Sequence, residues 1–413
     1  MQELAEIDKN NLYNCCKIIK NYTDTMTAEY HRLGDYIREV NVRNRELKVT
    51  SLLGVSVEKN FFPSIANTIG TDMSNYKIVC KRQFVYIADT SRRGDKIAVA
   101  LLEDCDEAII SQAYTVFEVV DCDKLLPEYL MMWFRRPEFD RYARFHSHGS
   151  AREVFDWEEL CDVQLPVPSI ERQREIVSEY ETLTRRIRLN NQMIEKLEAT
   201  AQALYHHTFV DNIDRQNLPE GWRMGTLGDI LEKFIRGPFG SALKKEDMQT
   251  MGIPVYEQQH VIDEHRDFRY YISETKYESL KRFTVKKNDI VISCSGTIGR
   301  IIQIGDNDPA GVINQALLIL RVNAQKYSPT LLRYYLLSEE GHKMLLEDAH
   351  GSAQVNIAKK ETIESIPILI PKKSVLDEIT EQLKVIDDTI SLYKEENKKL
   401  TELQSLLLSK MGQ

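Results

Sequence analysis

The sequence repeats itself once, and no other feature limits the possible folds as strongly. Four short segments of the first half recur in the same order in the second half. They are Leu33–Asp35 with Leu227–Asp229, Ser111–Ala113 with Asn314–Ala316, Gly149–Ala151 with Gly351–Ala353, and Val163–Pro168 with Ile366–Pro371. Their offsets are 194, 203, 202 and 203 residues, so the second copy gains about nine residues near its start. The chain is therefore expected to fold as two copies of one unit.

Both copies share one order of features. Each begins at Leu-Gly-Asp, continues with short strands and loops, and reaches a helical stretch near Pro127 or Pro329. A Gly-Ser-Ala turn, a proline-bounded strand and a long helix follow. The first globular region then spans about 31–168 and the second about 220–371. A length of 413 residues suits this division, because each region is large enough to bury a substantial core.

The segments after the two globular regions carry apolar residues at alternating three- and four-residue spacing. The positions are Leu183, Ile187, Ile194, Leu197, Ala201 and Leu204 in the first segment, and Leu376, Ile379, Leu383, Ile386, Ile390, Tyr393, Leu400, Leu403 and Leu407 in the second. This spacing is typical of a coiled-coil seam. Two such narrow seams are unstable apart, so we expect the helices to pack on each other. Asn190 and Asn397 lie in the seams, either as buried amides that fix the register or as polar residues at partly wet positions.

Composition excludes several classes of protein. The sequence has no run of 18 apolar residues, and its first ten residues lack the basic and apolar pattern of a secretory leader, so we expect a cytoplasmic protein. Seven scattered cysteines without a Cys-x-x-Cys pair indicate neither a disulfide framework nor a zinc site. The net charge of −9 argues against a protein that coats nucleic acid with its whole surface, but it permits a local basic face if acidic residues gather on the helices.

The repeated motifs resemble those of type I restriction-modification specificity subunits. The likeness rests on Leu218–Trp222 before Leu227–Asp229, on the Gly-Ser-Ala turns, and on the Pro-x-Pro strand that leads into Glu171–Ile176. It covers about residues 31–411. It implies an α+β protein in which two similar target-recognition domains are separated by two long antiparallel coiled-coil helices, as a tandem repeat with pseudo-two-fold symmetry. The implied domains are an N-terminal helical extension at 1–30, recognition domains at 31–168 and 211–371 (the second with its linker), a central helix at 169–210 and a distal helix at 372–413.

The resemblance also implies the partners. Each recognition domain would bind one half of a bipartite target in double-stranded DNA, and the helices would set the spacer and bind two methyltransferase subunits. Motor-nuclease subunits would complete the restriction complex. S-adenosylmethionine, for adenine N6 methylation, would be bound by the methyltransferase partner, and ATP and magnesium by the motor partner. An adaptor built on a coiled coil, without a role on DNA, is the alternative, and a fused enzyme is a weaker third hypothesis.

Two features depart from the family pattern. Residues 1–30 precede the first Leu-Gly-Asp and would add a helix or a flexible lead. The second copy has Pro371–Ile379 where the family often carries a Glu-Gln pair, so we expect its helix start to contact the partner differently.

The sequence lacks the motifs of an enzyme. It contains no Asn/Asp-Pro-Pro-aromatic motif for amino methylation, no Gly-x-x-x-x-Gly-Lys-Ser/Thr loop and no Gly-x-Ser-x-Gly elbow. Ser293–Gly299 resembles a phosphate cradle, but it lacks the lysine and the strand-to-helix context, which favours a structural turn. His146 and His148 have no third metal ligand nearby in sequence. We therefore predict a non-catalytic chain without cofactor or metal residues of its own.

Polar and basic side chains in loops are the candidates for DNA contacts, because Arg binds guanine, Asn or Gln binds adenine, and Ser or Thr binds either. In the first copy we predict Arg43, Arg45, Lys48, Lys59, Ser91, Arg92 and Arg93. In the second copy we predict Arg236, Lys244, Lys245, Gln258, Gln259, His260, Ser295, Thr297 and Arg300. Val55–Val57 aligns with Gln258–His260 at an offset of 203 residues, so one loop would contact different bases in each half. A solvated surface charge explains any single one of these residues equally well.

The basic segment Lys281–Lys287 has two explanations. It carries four basic residues and no acid, which suits contacts to phosphates. Lysines that protect a solvated strand edge explain it nearly as well.

Overall fold

The computed structural model describes residues 29–64, 71–89, 94, 96–149, 153–211, 213–346, 357 and 359–412. The chain divides into two compact units, the first formed by Met1–Leu189 with Glu396–Gln413 and the second by Asn190–Glu395. Residues 1–28 of the predicted N-terminal extension, and most of both Gly-Ser-Ala turns, lie outside the described residues. Among the described helices, none is long and apolar enough to cross a membrane.

The first unit is built around a four-stranded antiparallel sheet. Its strands are β1 (Tyr30–Arg32), β2 (Ile37–Val40), β3 (Leu53–Val55), β4 (Phe61–Pro63), β5 (Lys77–Cys80), β6 (Phe84–Ile87), β7 (Ala98–Leu101), β8 (Glu107–Ile110), β9 (Thr115–Val119) and β10 (Gln164–Pro166). The main sheet has the order β2-β9-β6-β7, and β1 with β10, β3 with β4 and β5 with β8 form antiparallel pairs. The helices are α1 (Pro127–Phe134), α2 (Pro137–Phe145), α3 (Trp157–Cys161) and the first part of α4 (Ile170–His206).

Both faces of this sheet are buried, which explains its continuously apolar strands. Successive side chains of a strand point to opposite faces. Phe84 and Tyr86 join the core beneath α1, whereas Val85 and Ile87 join the core on the other side. The Phe84 ring lies 4.8 Å from that of Phe117 and 5.8 Å from that of Phe134, between ring centroids. Aromatic packing therefore fixes α1 on one face of the sheet.

The second unit repeats the main sheet of the first, but the segments that connect its strands differ. Its strands are β11 (Arg223–Thr226), β12 (Leu231–Arg236), β13 (Ile253–Tyr256), β14 (Tyr271–Ile272), β15 (Ile290–Ser293), β16 (Ile301–Gln303), β17 (Val312–Ile313), β18 (Leu317–Val322) and β19 (Pro367–Ile370). Its helices are α5 (Leu227–Ile230), α6 (Gln258–Ile262), α7 (Glu274–Leu280), α8 (Pro329–Leu337), α9 (Glu339–Leu346), α10 (Lys360–Ser365) and part of α11 (Lys373–Lys410).

The main sheets of the two units match strand by strand, whereas the smaller sheets differ: β3 with β4 and β5 with β8 form pairs in the first unit, and β14-β13-β17 form one three-stranded sheet in the second. The second main sheet has the order β12-β18-β15-β16, and β11 pairs with β19 as β1 pairs with β10. In both units, a proline at the first or second position opens the helix after the last strand of the main sheet. The parallel pair of Leu52 with Ile109 in the first unit recurs in the second as the pair of Val255 with Val312. Both members of the second pair lie 203 residues after their counterparts in the first. The repeat found in the sequence is thus a repeat of topology.

The two long helices carry the predicted apolar seam. All the predicted seam positions are buried or half-buried, and a π-helical turn at His207–Asp211 extends α4. Within the first unit, Arg186 pairs with Glu396 and Gln404 donates to Thr184, so the helices run antiparallel there. Asn190 is 2% exposed and Asn397 is half-buried. A buried amide in the seam is therefore the correct interpretation for Asn190.

The two long helices begin differently, because a buried glutamine near the start of α4 is replaced by a buried leucine near the start of α11. Gln173, which is fully buried, accepts from the backbone N–H of Leu126 at 2.9 Å and donates to the carbonyls of Lys124 and Pro168. The position 203 residues later is Leu376, which is 3% exposed and packs in the apolar core. In the second unit Ser328 caps helix α8 with its own hydroxyl. Gln173 of the motif Glu171–Ile176 therefore positions the start of α1.

Candidate nucleic-acid interface

Three loops of the second unit meet at one end of its main sheet. Strand β12 ends at Arg236, β15 ends at Ser293 and β18 begins at Leu317. Because these strands are antiparallel neighbours, their ends lie side by side. The amide of Gly237 donates to the carbonyl of Leu317 at 2.9 Å, and the amide of Cys294 donates to that of Ala316 at 2.7 Å. We call this set, residues 236–245, 293–300 and 314–316, the loop end of the second unit.

A tight approach of two backbones holds the loop end together. A Cβ atom on Gly237 would lie 1.8 Å from the carbonyl oxygen of Asn314, so only glycine fits there. Cys294 is fully buried beneath the loops, and burial raises the pKa of its thiol to about 12. This cysteine therefore fills space and is not a reactive thiolate.

The loop end collects most of the contact residues that we predict in the second copy. Lys244, Lys245, Thr297 and Arg300 are exposed, and Arg236, Gln258, Gln259 and Ser295 are half-buried. Gln258 lies at the start of α6, and its amide nitrogen donates to the carbonyls of Ser295 and Thr297. Both hydrogens of that nitrogen are thus used within the chain.

His260 is a correction. Its side chain is fully buried, its Nδ1 accepts from the amide of Glu257 at 2.8 Å, and its Nε2 lies 3.2 Å from the carbonyl of Asp267. Burial lowers the pKa of its imidazole, which favours the neutral ring. His260 therefore caps α6 in the interior, where it cannot meet a base without rearrangement.

The matching end of the first unit carries the corresponding predicted residues. Strand β2 ends at Val40, before Arg43, Arg45 and Lys48. Arg45 and Lys48 are exposed, whereas Arg43 is half-buried and donates to the carbonyl of Asn75 at 2.6 Å. Ser91, Arg92 and Arg93 fall in the connection between β6 and β7, outside the described residues. That connection corresponds to the one between β15 and β16 in the second unit.

Lys59 is a second correction. It is 5% exposed, and its Nζ lies 2.7 Å from Asp140 and 5.8 Å from the centroid of the Phe139 ring. Burial lowers the pKa of this ammonium, and the partner carboxylate opposes that change. Lys59 holds α2 against the neighbouring turn, so its charge is not available to DNA.

The basic segment Lys281–Lys287 lies at the opposite end of the second sheet, before β15 begins. Lys281 pairs with Glu278 at 3.0 Å, Lys287 pairs with Asp306, and the Arg282 guanidinium lies 4.4 Å from the centroid of the Phe283 ring. The structure thus separates this segment from the loop end. Its local ion pairs favour a solvated edge over a phosphate contact.

Two residues, one at the loop end of the second unit and one at the matching end of the first, are absent from our sequence-based prediction. Gln112 and Gln315 are both exposed, and each lies just before the last strand of its main sheet. The repeated Gln-Ala pair was the signal for them, since a loop position occupied by the same polar residue in both copies is a candidate for a shared contact.

The histidine pair is arranged around one carboxylate. His146 Nδ1 lies 3.3 Å and His148 Nε2 lies 3.1 Å from the oxygens of Glu159. Nevertheless, across the part of the chain that the structure describes, no group of three ligating side chains is arranged to hold a metal ion.

Comparison with known families decides the identity of this fold. The family model described as the type I restriction modification DNA specificity domain matches residues 5–199 and again residues 219–402. The chain belongs to this family of specificity subunits. The first match begins at residue 5, so most of the predicted extension at 1–30 lies within the matched family region.

Individual relatives of this specificity subunit are distant. The type I restriction enzyme HindI specificity subunit of Haemophilus influenzae is 22% identical over 383 residues, which cover 75% of this chain and 81% of the relative. The putative MjaX specificity subunit of Methanocaldococcus jannaschii is 22% identical over 300 residues, covering 68% of this chain and 65% of the relative. The crystal structure of the type I restriction-modification S subunit from M. genitalium has a TM-score of 0.60 at 14% identity and covers 95% of this chain and 98% of that one. That structural likeness concerns the fold.

Proposed function

We propose that this specificity subunit binds double-stranded DNA sequence-specifically, and that each unit contacts one half of a bipartite target. The observation that carries the proposal is the shared loop end. In both units, the connections at one end of the same four-stranded sheet present polar and basic side chains, and these side chains differ between the units. Equal scaffolds with different loops suit the recognition of two different half-sites.

The long helices are proposed to bind two methyltransferase subunits and to set the spacer between the half-sites. Large apolar side chains stay exposed along both helices, which supports a role in binding a protein partner. They are Leu189 (51% exposed), Met193 (43%), Val385 (58%), Leu392 (68%) and Leu406 (51%). Motor-nuclease subunits would join the same assembly.

The chain itself is proposed to be non-catalytic. In that case S-adenosylmethionine is bound by the methyltransferase partner, and ATP and magnesium are bound by the motor partner. The missing methylation, phosphate-loop and nucleophile motifs support this division of labour.

Exchange of one recognition domain tests the proposal. The chain is produced in cells together with its methyltransferase partner, and methylated adenines are mapped across the genome. Replacing residues 31–168 with the matching domain of a relative is expected to change one half of the methylated motif and to leave the other half unchanged. The join is favourable, because β1 and β10 then come from the same donor almost completely.

Three results would contradict the proposal. Changes in both halves would show that the units do not act separately. Methylation of DNA by the purified chain with S-adenosylmethionine would show a catalytic chain. No bipartite motif with the partner present, and no sequence-specific gel shift, would favour the adaptor built on a coiled coil.

A further inference from the structure

In the loop Cys294–Gly299, at the loop end of the second unit, two carbonyl groups are held by hydrogen bonds to buried and half-buried side chains. The Gln258 amide donates to the carbonyl of Ser295 and, at 3.0 Å, to that of Thr297. The hydroxyl of Ser293 donates to the same Thr297 carbonyl at 2.7 Å and accepts from the amide of Arg300 at 2.9 Å. We call these four hydrogen bonds of Gln258 and Ser293 the clamp, and because Ser293 is fully buried, one side of the clamp is fixed in the core.

Two amide groups must consequently face the other way. In a trans peptide the N–H points opposite to the C=O, and the described chain has no cis peptide bonds. The carbonyls of Ser295 and Thr297 point toward the clamp, so the amides of Gly296 and Ile298 point away from it. Within the described part of the chain, neither amide donates a hydrogen bond to another group of the protein. Gly296 and Thr297 are exposed, which leaves this side of the loop open.

The residues of the loop suit the close approach of an anion. Gly296 has φ +63° and Gly299 has φ +75°, conformations that favour glycine. A Cβ atom on Gly296 would lie 3.1 Å from the Gln258 amide, so a side chain there would press on the clamp. The exposed Arg300 follows the loop directly. Neighbouring amides in such turns bind anions, and phosphate contacts fix the position of a protein on a duplex.

We propose that the loop Cys294–Gly299 binds one phosphate of the DNA backbone through the amides of Gly296 and Ile298, with Gln258 as the positioning residue that holds the loop open to it. The inference rests on the proposed function, because it assigns a DNA contact. It replaces base contacts by Gln258, whose amide hydrogens are already used, with a contact that is independent of sequence.

The test uses the complex of this chain with its methyltransferase partner and duplexes that carry the mapped target. Each duplex has one uncharged methylphosphonate linkage, placed in turn through the half-site assigned to the second unit. For the wild-type chain, one linkage is expected to weaken binding on the order of tenfold, because a hydrogen-bonded charge is lost there. With Gln258→Ala, binding to the unmodified duplex falls to a similar degree, and that linkage causes no further loss.

Salt dependence and a matched control complete the design. Because the contact is made by uncharged amides and not by Lys or Arg, Gln258→Ala is expected to leave the slope of log K against log salt nearly unchanged, and the methylated motif stays the same. Gln303→Ala is the control, since Gln303 also donates two side-chain hydrogen bonds, to Asn288 and Thr330, but at the opposite end of the sheet. Binding by the Gln303→Ala chain is expected to be weakened by the same methylphosphonate linkage as binding by the wild-type chain. Gln258→Glu, of equal size but without the amide donor, is the second variant.

The results separate the possible failures. A Gln258→Ala chain that keeps the sensitive linkage, or one that changes the preferred bases, overturns the phosphate proposal. If neither variant folds, the scan with the wild-type chain decides. The absence of any sensitive linkage in that half-site would also overturn the phosphate proposal. A wild-type complex that shows no preference for the mapped duplex contradicts the proposed function instead.

Discussion

At the scale of residues, burial separates scaffold from surface in a way that residue type does not. Lys59 and His260 are polar residues in loop-like sequence, and both were predicted to contact DNA, yet both are buried. Lys59 pairs with Asp140, which is distant in sequence. His260 bonds to backbone groups near α6 that come close to it only because of the local turn. A sequence pattern cannot reveal a partner 81 residues away, so this part of the site was not predictable.

The hydrogen bonds of Gln173 explain physically why a glutamine stands in the motif Glu171–Ile176. It forms three hydrogen bonds to backbone groups, two just before α1 and one just before α4, so Gln173→Ala leaves a buried donor and two acceptors without a partner. We expect local stability to fall by about 2–4 kcal/mol. Amide hydrogen exchange of Pro127–Phe134 measures this. Gln164→Ala is the control, because Gln164 is exposed and its change should cost less than about 0.5 kcal/mol. Equal protection in both variants would refute the role of Gln173.

At the scale of elements, the long helices were the most predictable and the small sheets the least. The seam spacing predicted two long helices, to which the resemblance gave the bounds 169–210 and 372–413, and the helices span Ile170–His206 and Lys373–Lys410. Local periodicity suffices for a helix, whereas a strand of three or four residues is defined by partners far along the chain. The expected acidic helices were a weaker inference. By sequence, α4 carries six acids and six bases and α11 carries eight and six, so together they supply only −2 of the net −9.

At equivalent positions of their main sheets, the two units contain different hydrogen-bonded pairs of side chains. In the second unit Asp289, 1% exposed, accepts from Arg321 at 2.7 and 2.8 Å. At the matching place in the first unit, Gln83 donates to Glu118 at 2.8 Å, and Arg38 also pairs with that carboxylate. Strand pairing aligns the two sites, because Ile290 faces Leu320 as Phe84 faces Phe117.

Breaking the buried pair should therefore cost more than breaking its counterpart. Asp289→Ala leaves the Arg321 charge buried without its partner, which we expect to cost about 3–5 kcal/mol, whereas Gln83→Ala should cost about 1 kcal/mol. Hydrogen exchange of Leu317–Val322 and of Thr115–Val119 gives the two values. The double change Asp289→Leu with Arg321→Met should regain stability relative to Asp289→Ala. Equal losses in the two units would contradict this account.

At the scale of the whole molecule, the tandem repeat was predictable from the sequence because duplicated topology preserves spacing. The offsets of 202 and 203 residues persist from the main sheets to the long helices. Loop contents diverge in the same interval, as Val55–Val57 and Gln258–His260 illustrate. The repeated residues thus belong to the scaffold, and the residues proposed to determine the DNA sequence are among those that differ.

The proposed spacer role leads to a length-dependent prediction. Each residue adds about 1.5 Å to a helix, and each base pair adds about 3.4 Å to the duplex. One heptad added to both long helices lengthens them by about 10 Å and keeps each apolar seam on its own face. The chain divides between the units after Leu189 and after Glu395, so insertions at those bonds leave the contacts inside each unit unchanged.

We expect the double-heptad variant to methylate the same two half-sites with a spacer about three base pairs longer. The added base pairs also turn the second half-site by about 100° at 10–10.5 base pairs per turn, so weaker binding should accompany the longer spacer. Inserting four residues instead turns the following seam by about 40° and should destabilise the helices as well. Mapping of methylated adenines is the measurement. An active double-heptad variant that keeps the original spacer would show that helix length does not set the distance between half-sites.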